Sequence, residues 1–142
     1  MWTHLLSGFV LLAASTSFAA ESSSEALAAR CIHEVEQVVV RAANAAADET
    51  EQCVRTINAL QDQGRDAAAE QVAADCLRAA TGRARNAARF ITRICNVCVE
   101  TLIDRDEIEL ARRVNSACED GIAALRQLLE RETAAISEAL AD

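Results

Sequence analysis

The sequence predicts an all-α fold: an antiparallel, up-down-up bundle of three long helices cross-linked by disulfides. Three observations carry this reading. Pro and Tyr are absent and Ala is abundant, which favours helix over sheet. Apolar residues recur every three or four positions through three long runs separated by two short polar breaks. Six cysteines then fall at matched heights around those breaks.

The amino terminus, MWTHLLSGFVLLAASTSFAA, has an apolar run from Leu5 to Ala14 followed by small polar residues, with Ser17 and Ala19 at −3 and −1 of a cleavage site. It reads as a secretory signal peptide over residues 1–19, although its n-region lacks Lys and Arg. Cleavage there leaves residues 20–142, enough for one domain with a core and too short for two. No later apolar segment reaches the roughly 20 residues of a membrane span, so none is expected.

The first helix is expected over about 23–62. Ser22 and Glu25 have capping-box spacing, and Ala28, Cys31, Val35, Val38, Ala42, Ala45, Cys53, Ile57 and Leu60 mark its apolar stripe. The run ends at Gln63-Gly64. The second, about 66–102, passes through Val72, Cys76, Ala80, Ala84, Ala87, Ile91, Cys95, Cys98 and Leu102 and stops near Asp104-Arg105-Asp106. Thr81-Gly82 leaves open a kink or a split within it. The third, about 107–140, runs from Ile108 through Ala111, Val114, Cys118, Ile122, Leu125, Leu129 and Ile136 to Leu140. Short corners between long amphipathic helices make consecutive helices antiparallel neighbours.

An even number of cysteines in an exported chain of this size reads as three disulfides, for which sequence alone permits 15 pairings. The bundle register narrows them. Cys53 and Cys76 are equidistant from the Gly64–Arg65 bond, and so are Cys31 and Cys98. Cys95 and Cys118 are equidistant from the Asp106–Glu107 bond. The expected bridges are therefore Cys31–Cys98, Cys53–Cys76 and Cys95–Cys118. Three residues turn a helix by about 300°, so the Cys95 and Cys98 sulfurs diverge by roughly 60° and can face different neighbours. The nearest rival joins Cys95 to Cys98 and Cys31 to Cys118. A redox CxxC belongs at a helix start, where the dipole stabilises a thiolate, and this one comes late in its helix. A zinc site built from Cys31, Cys95, Cys98 and Cys118 fits a reducing compartment better than an exported protein. No metal or cofactor is expected.

The net charge of −8 lies entirely within residues 20–142, which disfavours nucleic acid, anionic membrane and the cationic lytic-helix class. No catalytic constellation is apparent. His33, the single histidine of that region, is placed away from Cys31 and toward solvent; Asp48, Glu49 and Glu51 read as an acidic solvated turn. Two features invite binding. Between Cys76 and Val99 there are five Arg and no acid, and Arg78, Arg85, Arg89 and Arg93 share one helix face. This is either a surface for an anionic partner or a solvated face neutralised in part by acids of neighbouring helices. Glu49 continues the apolar stripe of the first helix, opposite Ala80, so a buried carboxylate paired with Arg83 is expected. The small residues around it, Ala45, Ala46, Ala80 and Ala84, either let the helices approach closely or leave a mid-bundle slot for an apolar ligand with one polar end.

The rhythm of Cys31, Cys53, Cys76, Cys95/Cys98 and Cys118, about 20 residues apart in a helical exported chain, resembles the TsetseEP-type domain of insect secreted proteins. That resemblance, which covers most of residues 20–142 and rests on no short motif, implies a secreted helical module without established catalysis. Saposins also have six cysteines and helices, but their CxxC opens the domain whereas Cys95 and Cys98 come late in this chain, so that match is rejected. The function expected is that of an extracellular, disulfide-stapled binding protein without catalytic activity, its partner a protein or glycan. The alternative is a carrier of a small apolar ligand held at Ala45, Glu49, Ala80, Arg83 and Ala84.

Overall fold

The computed structural model describes residues 15–141, with side chains from Ser23 onward. Most of the leader expected over residues 1–19 lies outside the described residues. Three helices, α1 (Ser15–Asp62), α2 (Asp66–Asp104) and α3 (Ile108–Ala141), form an antiparallel bundle in which each packs against both others. Their ends fall within two residues of expectation except at the start of α1. There the helix runs through Ser22, because Ala19, Ala20 and Glu21 propagate it toward the amino terminus. Ser22 is thus not an N-cap. Ser24, two residues on, is buried, and its hydroxyl accepts from Arg105 Nη1 at 3.4 Å. α2 passes through Thr81-Gly82 unbroken.

Both corners close by one hydrogen-bond pattern. At the first, Gly64 N–H donates to Gln61 O (2.8 Å) and Arg65 N–H to Leu60 O (2.9 Å), with Gly64 at φ 65°. At the second, Asp106 N–H donates to Ile103 O and Glu107 N–H to Leu102 O, both 2.9 Å, with Asp106 at φ 61°. These are Schellman motifs, whose left-handed residue costs Gly nothing and is tolerated by Asp. Each corner residue therefore sits beside the bond from which the flanking cysteines are equidistant.

Three bridges follow: Cys31–Cys98 and Cys53–Cys76 with Cα atoms 6.4 Å apart, and Cys95–Cys118 at 6.3 Å. No cysteine is free. By the loop-closure account each contributes roughly 3–4.5 kcal/mol against the unfolded chain, less where loops nest.

The core is in two parts. The larger gathers Val35, Val38, Ile91, Leu102, Val114 and Leu125 around the Cys31–Cys98 and Cys95–Cys118 bridges. The smaller, nearer the first corner, holds Ile57, Ala69, Ala73, Ile136 and Ala139, with Cys53 and Cys76 packed against it. Gly121 belongs to the larger part by necessity: a Cβ there would meet Val35 Cγ1 at 2.7 Å and Ile91 Cδ1 at 3.2 Å. The glycine lets α3 approach both neighbours.

Covalent ties are uneven between the two parts. α3 is bridged only at Cys118, so its remainder to Ala141 is held by side-chain packing and polar contacts alone. Amide hydrogen exchange is expected to show α3 from Glu130 to Ala139 opening at lower free energy than α2 from Ile91 to Cys98. Equal protection along both segments would contradict this.

Candidate functional site

The site is built around Arg83, midway along α2. Its guanidinium donates to Glu132 Oε1 on α3 at 2.6 Å and is ion-paired with Glu49 on α1. Thr50 Oγ1 adds a 3.4 Å contact to the same Glu132 oxygen. One cation thus ties all three helices where the larger core gives way to the smaller, a level otherwise occupied by the buried Ala46 and Ala80.

This corrects the expected burial of Glu49. Its side chain is 51% exposed, whereas that of Glu132 is 6% exposed. The reason is a step of four where three was expected: the α1 stripe passes from Ala42 to the buried Ala46, with Ala45 only half-buried, and this turns Glu49 onto the flank. Glu132 was passed over although it lies seven residues after Leu125 and four before Ile136, squarely on the α3 stripe. Burial pulls the Arg83 pKa down, but hydrogen bonds and charge from Glu132 and Glu49 outweigh it and raise the value above that of an ordinary arginine. Arg83 is therefore a permanent cation, unable to serve as an acid or base.

Beside this bridge an open groove of about 770 Å³ runs between α1 and α2. Ala45, Glu49 and Arg83 line it together with Gly82, Asn86 and Phe90. Of the five residues expected to hold a ligand, the other two lie elsewhere. Ala80 is buried behind the groove and lines a smaller cleft of about 260 Å³ with Glu132, while Ala84 lines neither space. The groove is a surface feature rather than a slot inside the bundle.

Arg78, Arg85, Arg89 and Arg93 are exposed along α2. Arg78 is paired with Asp75 of its own helix. Among the described residues Arg85, Arg89 and Arg93 form no ion pair, so acids of the neighbouring helices do not neutralise this face. Phe90 and Val97, 53% and 65% exposed, accompany it and were missed as a surface feature, although their seven-residue spacing on α2 was visible in the sequence. His33 is exposed on α1. Among the described residues no group of three or more His, Cys, Asp or Glu could hold a metal ion, and no helix is long and apolar enough to cross a membrane.

The charged bridge makes a direct prediction. Arg83→Met strands the Glu132 carboxylate in the bundle and is expected to cost about 3–5 kcal/mol in chemical denaturation. The double variant Arg83→Met/Glu132→Leu should recover most of that loss, because no buried charge remains. A double variant as unstable as the single one would contradict the assignment.

Compared with known proteins, the chain matches no family model, no curated protein and no solved structure.

Proposed function

We propose that the protein is an exported, disulfide-stapled binding module that acts through the outer surface of its α1–α2 hairpin, by contact and not by catalysis. The observation that carries this reading is the form of the concavity between α1 and α2. It is an open groove flanked by exposed Phe90 and by Arg41, Arg85, Arg89 and Arg93, which form no ion pair among the described residues, and such a surface suits a macromolecular partner. Three disulfides support an oxidising, extracellular setting. Cross-linked helices also resist the local opening that extracellular proteases exploit. The resemblance of the cysteine rhythm to that of TsetseEP-type domains is in keeping with this reading.

A second reading, the carrier of a small apolar ligand, draws support from the size of the groove and from the Arg83–Glu49 pair at its edge. Native mass spectrometry of the secreted protein, alkylated without reductant, separates the two. The binding module is expected as residues 20–142, six hydrogens light, unalkylated and without added mass. A mass released on denaturation would put the carrier first. Alkylated thiols, or retention of residues 1–19, would contradict an exported, stapled protein.

A further inference from the structure

α2 carries two seams. One faces the core through Ala73, Ala80, Ile91, Cys98 and Leu102. The second consists of Ala79, Gly82, Asn86, Phe90 and Val97, spaced three, four or seven residues apart, and among the described residues no helix lies upon it. Steps of three and four are those by which one helix receives another.

At Gly82, on this seam, an added Cβ would meet nothing within 4 Å. Glycine is thus not required there for packing within the bundle, unlike Gly121, and it costs about 1 kcal/mol of helix propensity relative to Ala. Its effect is to keep one end of the groove floor low, while Phe90 stands half-exposed at the other end.

The charge beside the seam selects the occupant. Arg85, Arg89 and Arg93 recur at four-residue intervals, about 6 Å apart along the helix. They form no ion pair among the described residues, and neither does Arg41, which lines the groove from α1. Glu49 is the one acid among the lining residues, and Arg83 already holds it. A helix laid along α2 with carboxylates at i, i+4 and i+8 would meet the three arginines in register, and guanidinium–carboxylate pairs are geometrically selective. Flanking charges of this kind set partner choice and direction between paired helices.

Resting on the binding-module reading, we infer that the α1–α2 groove is a docking site for an acidic amphipathic helix of a partner protein, which takes the position of a fourth helix. Its apolar face covers Gly82, Phe90 and Val97, and its acids pair with Arg85, Arg89 and Arg93. The apolar seam is what favours a helix over a sulfated glycan or an anionic lipid surface, either of which would use the arginines alone.

The test uses the full secreted protein and helical peptides of about 20 residues with Leu at steps of three and four and Glu flanking them at i, i+4 and i+8. Binding is measured by titration calorimetry at low and physiological salt. The expected result is saturable 1:1 binding that weakens with salt. It should weaken at least about tenfold on Arg85→Glu/Arg89→Glu/Arg93→Glu and stay unchanged on the matched α3 reversal Arg112→Glu/Arg126→Glu/Arg131→Glu. Gly82→Leu should obstruct the groove and weaken binding similarly while leaving the melting temperature undiminished. No peptide binding, or binding indifferent to these changes, overturns the inference. So does preferential binding of heparin-type oligosaccharides or phosphatidylglycerol vesicles through the same arginines, or a concentration-dependent dimer abolished by Gly82→Leu. A discrete cross-linked adduct formed in the native secreted fluid by p-benzoylphenylalanine in place of Phe90, without any peptide binding, would leave the binding module standing and remove the acidic helix.

Discussion

The antiparallel register of the three helices is the constraint on which the remaining features depend. Two Schellman corners, at Gly64 and Asp106, set where each chain reversal is centred, and three disulfides hold residues that are equidistant from those centres. A slip of one helical turn would move paired cysteine Cα atoms about 5 Å further apart along the axis, beyond the reach of an unstrained bridge. With the register fixed, Gly121 comes to lie against Val35 and Ile91, and Arg83 falls between Glu49 and Glu132. The Cys95–Cys98 spacing is a geometric consequence: one sulfur reaches α3 and the other α1.

Within that frame the two cores do different work. The larger carries two bridges that join all three helices, so its packing is reinforced covalently. The smaller is alanine-rich and bridged only between α1 and α2, and Glu132 with Arg83 stands at the boundary between the two. A buried ion pair contributes little net stability compared with apolar packing, but it penalises any arrangement that leaves one partner alone. Its effect is to fix the rotation of α3 against the hairpin at a level where alanines would tolerate several. Other small residues, Ala45 and Ala79 with Gly82, lie on the outer side of α1 and α2 and line the groove.

Much of the architecture was legible in the sequence because it follows from period and symmetry. The corner glycine, the helix lengths and the six cysteines are properties of spacing, and spacing is what a sequence records. Which carboxylate is buried was not legible from α1 alone. Ala45 and Ala46 are equivalent in hydropathy, and the choice between them, which decides whether Glu49 faces inward, is made by the helix on the other side. Glu132 was available as the single charged residue on an apolar stripe, but it gains meaning only when Arg83 is placed against it. The neutralisation of the arginine face also depends on three-dimensional reach. Arg78 finds Asp75 within its own helix, whereas among the described residues Arg85, Arg89 and Arg93 pair with no acid of α1 or α3.

Disulfide mapping reads out which helices the cysteines join. Trypsin under acidic, non-reducing conditions leaves Cys95 and Cys98 on one peptide, and a further elastase cut after Val97 separates them. The Cys95 half is then expected to be linked to the peptide carrying Cys118 and the Cys98 half to the peptide carrying Cys31. A peptide that stays joined across the Val97 cut by a Cys95–Cys98 bridge, with Cys31 linked to Cys118, would contradict the pairing that ties α2 to both of its neighbours.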